Sequence, residues 1–107
     1  MDLNYEEYSK LIKALSDPKR LQIIDILSCG ERCACELLDH FDFSQPTLSH
    51  HMKVLADLEI VNVRKDGLWS YYSLNISKCN KIILFLMNII TDTDDCICKS
   101  KIKCECK

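Results

Sequence analysis

The segment CACELLDHFDFSQPTLSHHMKVL, running from Cys33 to Leu55, decides the fold. It divides at Asp42-Phe43-Ser44, a tight polar connection. Beyond that point Ser44 suits an N-cap and Pro46 the first helical turn. Leu48, Met52 and Leu55 then recur at helical spacing, which predicts a helix running to about Leu58. Before the connection, Leu37, Leu38 and Phe41 form the apolar side of a short helix that starts at about Arg32 or Cys33 and ends at Phe41. Two helices joined by so short a turn make a helix-turn-helix pattern. A step of about 100° per residue from Leu48 puts His50 and Lys53 opposite the core stripe. Thr47 and Ser49 fall on its flanks, and Gln45 lies at the N-terminal end. Short hydrogen-bonding side chains on the first turns of such a helix are what reading base edges in a major groove requires. Gln45, Thr47, Ser49, His50 and Lys53 are therefore candidate DNA contacts.

Working outward, Tyr5, Tyr8, Leu11, Ile12 and Leu15 predict a first packing helix capped by Asn4. Ser16-Asp17-Pro18 ends it and starts the next, with Asp17 as N-cap. Leu21, Ile23, Ile24, Ile26 and Leu27 cover a wide apolar arc, so this second helix is expected to be largely buried. Gly30 ends it. Lys19 and Arg20 in its first turn face either a phosphate or solvent. On the other side, Val61 to Lys65, then Asp66-Gly67, then Leu68 to Leu74 read as a β-hairpin. A hairpin directly after a DNA-reading helix is a wing, and it would bring Arg64 and Lys65 near the phosphate backbone. Read alone, the same residues are a solvated hairpin tip. Asn75 caps a last helix, Ile76 to Ile90, that is apolar nearly all round. In so small a domain the expected cover for it is a second subunit, paired through this helix and the first. The fold expected is mainly α with a β-hairpin wing, a winged helix-turn-helix that forms a homodimer. Residues 1–91 make the DNA-binding and dimerisation domain, and 92–107 a flexible cysteine-rich tail.

Composition agrees with one folded domain: 107 residues, 48% of them apolar, with only two Gly and two Pro. The net charge of −2 runs against a non-specific DNA binder, so any basic surface must be local. No targeting segment is read after Met1, and the longest apolar run, Ile82 to Met87, is far short of the ~20 residues of a membrane span. A cytoplasmic protein without membrane contact is expected. Its eight cysteines would stay reduced there and read as metal ligands or reactive thiols. A thiol redox protein is the alternative class. Against an enzyme stand the lack of a Gly-rich phosphate loop, of a recognisable triad, and of enough strands for a thioredoxin-like sheet.

Cys33 and Cys35 are candidate soft-metal ligands. Two positions apart on a regular helix they would point about 200° from each other. Gripping one ion would then have to bend or unwind the helix start, giving a ligand different affinity for two conformations. Lys19, Arg20 or Arg32 nearby would lower the thiol pKa values. Possible additional ligands are Cys29, Cys96, Cys98, Cys104 and Cys106; Cys79 reads as core. His51 reads as a packed or hydrogen-bonded residue, and His40 as an exposed one.

Taken in order, Leu15-Ser16-Asp17-Pro18-Lys19-Arg20-Leu21, Cys33-Ala34-Cys35-Glu36-Leu37, Ser44-Gln45-Pro46-Thr47-Leu48-Ser49-His50-His51-Met52-Lys53 and the Asp66-Gly67 wing resemble the ArsR/SmtB family of metal-responsive winged-helix repressors. The likeness runs from about Tyr8 to Ile90 and is strongest to its arsenic-responsive ArsR branch. The resemblance implies a homodimer that binds operator DNA and releases it when As(III) or Sb(III), the inducer, binds cysteine thiolates, derepressing a resistance operon. No organic cofactor is implied. The chain departs from the pattern at Leu38, where many arsenic repressors carry a third cysteine. Its last helix has Asn80 and Asn88, with Asp92 beyond, but no His for the zinc-type site. It has no cysteine before Cys29 for the cadmium/lead type. A cadmium-, lead- or zinc-responsive repressor of the same fold is the alternative.

Overall fold

In the computed structural model, residues 4–91 are described. The tail cysteines Cys96, Cys98, Cys104 and Cys106 lie outside these residues. Helix α1 spans Tyr5–Leu15, with the Asn4 side chain accepting from the Glu7 N–H at 3.0 Å. Helix α2 spans Pro18–Leu27, capped by Asp17, which accepts from the Lys19 and Arg20 amides. Strand β1 is Arg32–Cys33, and helix α3 follows at once as Ala34–Leu38. Helix α4 spans Gln45–Asp57, strand β2 Val61–Asp66, strand β3 Trp69–Leu74 and helix α5 Ile76–Ile90.

The fold is the expected one, mainly α with a winged helix-turn-helix. Its wing is larger than a hairpin. The sheet has three antiparallel strands in the order β1-β3-β2, because Arg32 pairs with Tyr72 and Cys33 with Tyr71. The short third helix is correspondingly trimmed: it begins after Cys33 rather than at it, and stops at Leu38 rather than Phe41. The hairpin turn is shifted by one residue from its expected position. Asp66 pairs with Trp69, which leaves Gly67 and Leu68 as the two-residue loop. Gly67 has φ +64° and Leu68 is not left-handed, the pattern of a loop with glycine first.

One core ties the elements together. Leu11 and Ala14 of α1, Ile23 and Leu27 of α2, Leu37 of α3, and Leu48, Met52 and Leu55 of α4 are buried with Ile60, Val61 and Ile82. Burial of a Leu or Ile side chain contributes ~1.5–3 kcal/mol, so these side chains hold α3 and α4 in fixed register. Glu59 turns the chain out of α4 in the left-handed conformation, φ 61°, while the Ile60 N–H closes on the Leu55 carbonyl at 2.9 Å. Helix α2 is less buried than its sequence suggests: Leu21 is exposed and only Ile23 and Leu27 are buried. Tyr8 of α1 stacks on Phe85 of α5 at 4.4 Å, which fastens the two helices together within one chain. The opposite side of α5 stays open. Ile83, Leu84, Met87 and Ile90 are all about half exposed or more. No helix of the described residues is long and apolar enough to cross a membrane.

Candidate thiol site and nucleic-acid interface

Cys33 is the last residue of β1 and the N-cap of α3, and Cys35 lies in the first turn of α3. The extended backbone at Cys33 (φ −81°, ψ 162°) changes where its side chain points. The two sulfurs are therefore not splayed as on a continuous helix. They converge to 2.8 Å, and both thiols are free rather than joined as a disulfide, whose bond is about 2.05 Å. The expectation that ion binding must unwind the helix start is corrected by this geometry: a strand residue followed by a helix residue presents both thiols to one point. Glu36 stabilises the junction by accepting from the Cys33 N–H at 2.9 Å, as the third residue of a capping box does.

The electrostatics also differ from expectation. The Cys35 thiol is held above the ordinary range, first by its hydrogen bond with Cys33, then by partial desolvation and the nearby Glu36 carboxylate. No cation lowers it. Glu36 itself is pushed down, first by the Cys33 amide. A soft electrophilic ion displaces the proton of such a raised thiol on binding. Cys33 is buried and Cys35 exposed, so the pair opens on one side. That side is a cleft of about 270 Å³ lined by Ala34, Cys35, Leu38, Gln45, Leu68, Trp69 and Ser70. Three elements thus meet at Cys35: α3, the first residue of α4 and the wing. Among the described residues no group of three or more His, Cys, Asp or Glu side chains is placed to hold a metal ion. Cys29 is exposed and is not gathered with the pair into such a group. Two thiolates fit a soft trivalent ion as part of its shell. Cys79 is half-buried, its thiol raised by burial and directed at the Ile60 carbonyl.

On α4, Gln45, Ser49, His50 and Lys53 are exposed, while Thr47 is half-buried and lies 3.2 Å from the Ser44 hydroxyl. Gln45, Ser49 and Lys53 stand four apart and so share one stripe of the helix. Lys53 pairs with Asp57 at 3.1 Å, both exposed. Lys65 is exposed on β2. Arg64 does not project freely from the wing. Its Nε and NH2 groups donate to both carboxylate oxygens of Glu31, at 3.1 and 2.9 Å, and its guanidinium lies 4.4 Å from the centre of the Tyr71 ring. Glu31 is held below the usual carboxylate range by Arg64, and Arg64 is raised in turn. Sequence reasoning missed Glu31, because nothing in a lone acidic residue before a cysteine shows which strand will lie beside it.

His51, on the inner side of α4, is 8% exposed. Its Nδ1 accepts from Arg20 Nε at 3.0 Å, and Arg20 also donates to the Ala14 carbonyl. Arg20, half-buried, thus turns inward and ties α4 to α2. Lys19 lies over the Phe41 ring at 5.8 Å.

The arsR family of bacterial regulatory proteins matches residues 17–63, from the cap of α2 to β2. Over 98 residues the chain is 54% identical to an arsenical resistance operon repressor of Staphylococcus aureus, covering 92% of this chain and 94% of that one. Over 104 residues it is 52% identical to the protein of the same name in Staphylococcus xylosus, covering 97% and 100%. Among solved structures, an ArsR family transcriptional regulator superposes with a TM-score of 0.75 at 24% identity, over 82% of this chain and 91% of that one, which shows the shared fold. Identity above one half, sustained along nearly the whole length of two repressors, places this chain in the arsR family of bacterial regulatory proteins.

Proposed function

We propose that this chain is a metalloid-responsive transcriptional repressor. As a homodimer it binds operator DNA through α4 and the wing, and it dissociates when As(III) or Sb(III) binds the thiolates of Cys33 and Cys35. Release derepresses an arsenical resistance operon. It acts in the cytoplasm, where its thiols stay reduced, and has no catalytic role. The observation that carries this reading is the 2.8 Å approach of the two sulfurs at the strand-helix junction that abuts Gln45 and the wing. The relatives' names, arsenical resistance operon repressor, support the same inducer.

In the DNA-bound state Gln45, Ser49, His50 and Lys53 would meet base edges and phosphates, with Thr47 near the helix start and Lys65 on the adjoining backbone. The open apolar side of α5 (Ile83, Leu84, Met87, Ile90) supports a second copy as its cover. A trivalent metalloid supplies a soft electrophilic centre that thiolates hold strongly. Cys33 and Cys35 provide two sulfurs and release their protons to solvent as they bind. The further donor, from the tail or from an outside thiol, is a separate question from the sensor pair. The test is Cys33→Ser in the full chain, followed by fluorescence anisotropy on operator DNA. The variant is expected to bind operator as the parent does and to stay bound in arsenite. Release equal to the parent's would remove Cys33 from the sensor.

A further inference from the structure

The sheet register aligns three residues in one row. Tyr71 on the central strand β3 pairs with Cys33 of β1 on one side and with Arg64 of β2 on the other. Directly opposed residues of antiparallel strands project from the same face and touch. Arg64 indeed lies on the Tyr71 ring, at 4.4 Å. It then reaches past the central strand to Glu31, two residues before Cys33, and closes on both carboxylate oxygens. The segment that carries the sensor thiol is therefore a strand of the wing and is fastened to the far strand by an ion pair.

We propose that Glu31 and Arg64 are positioning residues that carry inducer binding at Cys33 to the wing. The inference rests on the metalloid-repressor reading above. A shift of β1 on binding the ion moves Glu31 with it. Arg64 must follow, or lose its partner, and either result moves the wing relative to α4. Arg64 thus acts through the wing's placement and not as a free phosphate ligand. The fork geometry matters: a guanidinium holding two oxygens fixes an orientation, which a lysine does not.

The experiment measures operator affinity with and without arsenite for the parent, Glu31→Gln, Arg64→Gln and the double variant, all full-length. Arsenite binding to the DNA-free proteins is followed in parallel by thiolate-to-arsenic absorbance in the near ultraviolet. Both single variants are expected to bind arsenite as the parent does. Their ratio of operator affinities without and with arsenite should fall about three- to five-fold, the size that an exposed ion pair of good geometry carries. The double variant should lose no more than either single one. The charge-swapped pair Glu31→Arg with Arg64→Glu should recover part of the ratio. If Arg64→Gln weakens operator binding equally with and without arsenite, and Glu31→Gln changes nothing, Arg64 is a phosphate contact and the proposal fails. It also fails if the two losses add. If the parent itself is not released by arsenite, the fault lies in the repressor reading and not in this pair.

Discussion

Acidification should weaken this protein through one residue, His51. The side chain is 8% exposed, and its Nδ1 lone pair accepts from the Arg20 Nε–H at 3.0 Å. Burial, reinforced by the charges of Arg20 and His50 and opposed by Asp17, holds its pKa below the ordinary value of 6.5. In the unfolded chain the same group takes up a proton near pH 6.5. Between the two pKa values the unfolded state binds more protons, so stability falls as pH falls. The contribution is fully present above the unfolded pKa and is lost as pH drops through the folded one. The carboxylates that gain partners on folding (Asp17, Glu31, Glu36) are held below their usual range and stay charged through this window.

Protonation at Nδ1 removes the acceptor and sets a second cation beside Arg20. Linkage limits the loss to ~1.36 kcal/mol for each pH unit below about 6.5, so between about pH 7.5 and pH 5 stability should fall by no more than about 2 kcal/mol. With a urea slope of ~1–2 kcal/mol/M for a domain this size, the unfolding midpoint should move down measurably, by at most about 1–2 M. The control is His51→Leu, which starts less stable at neutral pH because Arg20 loses its acceptor, and which lacks the titration. If the parent loses no more stability than His51→Leu over this range, the reasoning is wrong. An NMR titration that puts the His51 pKa at or above its ordinary value would refute it equally.

Two further outcomes are expected. Glu59 adopts φ 61° at the end of α4, a conformation that costs a side-chain-bearing residue ~1 kcal/mol or more and glycine almost nothing. Glu59→Gly should therefore raise Tm by a few degrees despite the freer unfolded chain, and a fall in Tm would show that the Glu59 side chain contributes more than the strain. Met87 is 53% exposed on the open side of α5. If a second copy covers that side, Met87→Glu should convert a dimer to monomer in sedimentation equilibrium and weaken operator binding. A dimer of unchanged strength would place the interface elsewhere.

Most of the fold is legible in the sequence because its signals are local. Asn4, Asp17 and Asn75 each cap a helix through a hydrogen bond to an amide two or three residues on. Leu48, Met52 and Leu55 mark the inner side of α4 by spacing alone, and the same spacing turns His51 inward. The hairpin turn is legible only to within a residue. A glycine with positive φ satisfies either loop position, and the pairing of Asp66 with Trp69, a property of both strands together, chooses between them. The extent of burial on α2 and α5 is not legible for a related reason. An apolar residue such as Leu21 carries no sign of which neighbour, in the same chain or another, is to cover it.

The thiol pair stands out in the sequence, but its geometry does not, and the difference bears on mechanism. A strand of two residues has no periodicity, so Arg32-Cys33 looks like the start of a helix. On a helix the two sulfurs diverge, and coordination must then strain the element that supports α4. In the folded chain they already converge to 2.8 Å, and the Glu36 carboxylate holds the junction from within. A ligand that finds its donors assembled meets little resistance from α3 and so gains little leverage through it. A ligand shifts an equilibrium only by its different affinity for the two states. That difference must then arise where the donors are attached, and Cys33 is attached to Tyr71 by the β-ladder. Cys35 adds a second attachment, through the cleft it shares with Gln45 and Trp69. Both lines lead to the wing and to the first residue of α4, the two places where the proposed repressor meets its operator.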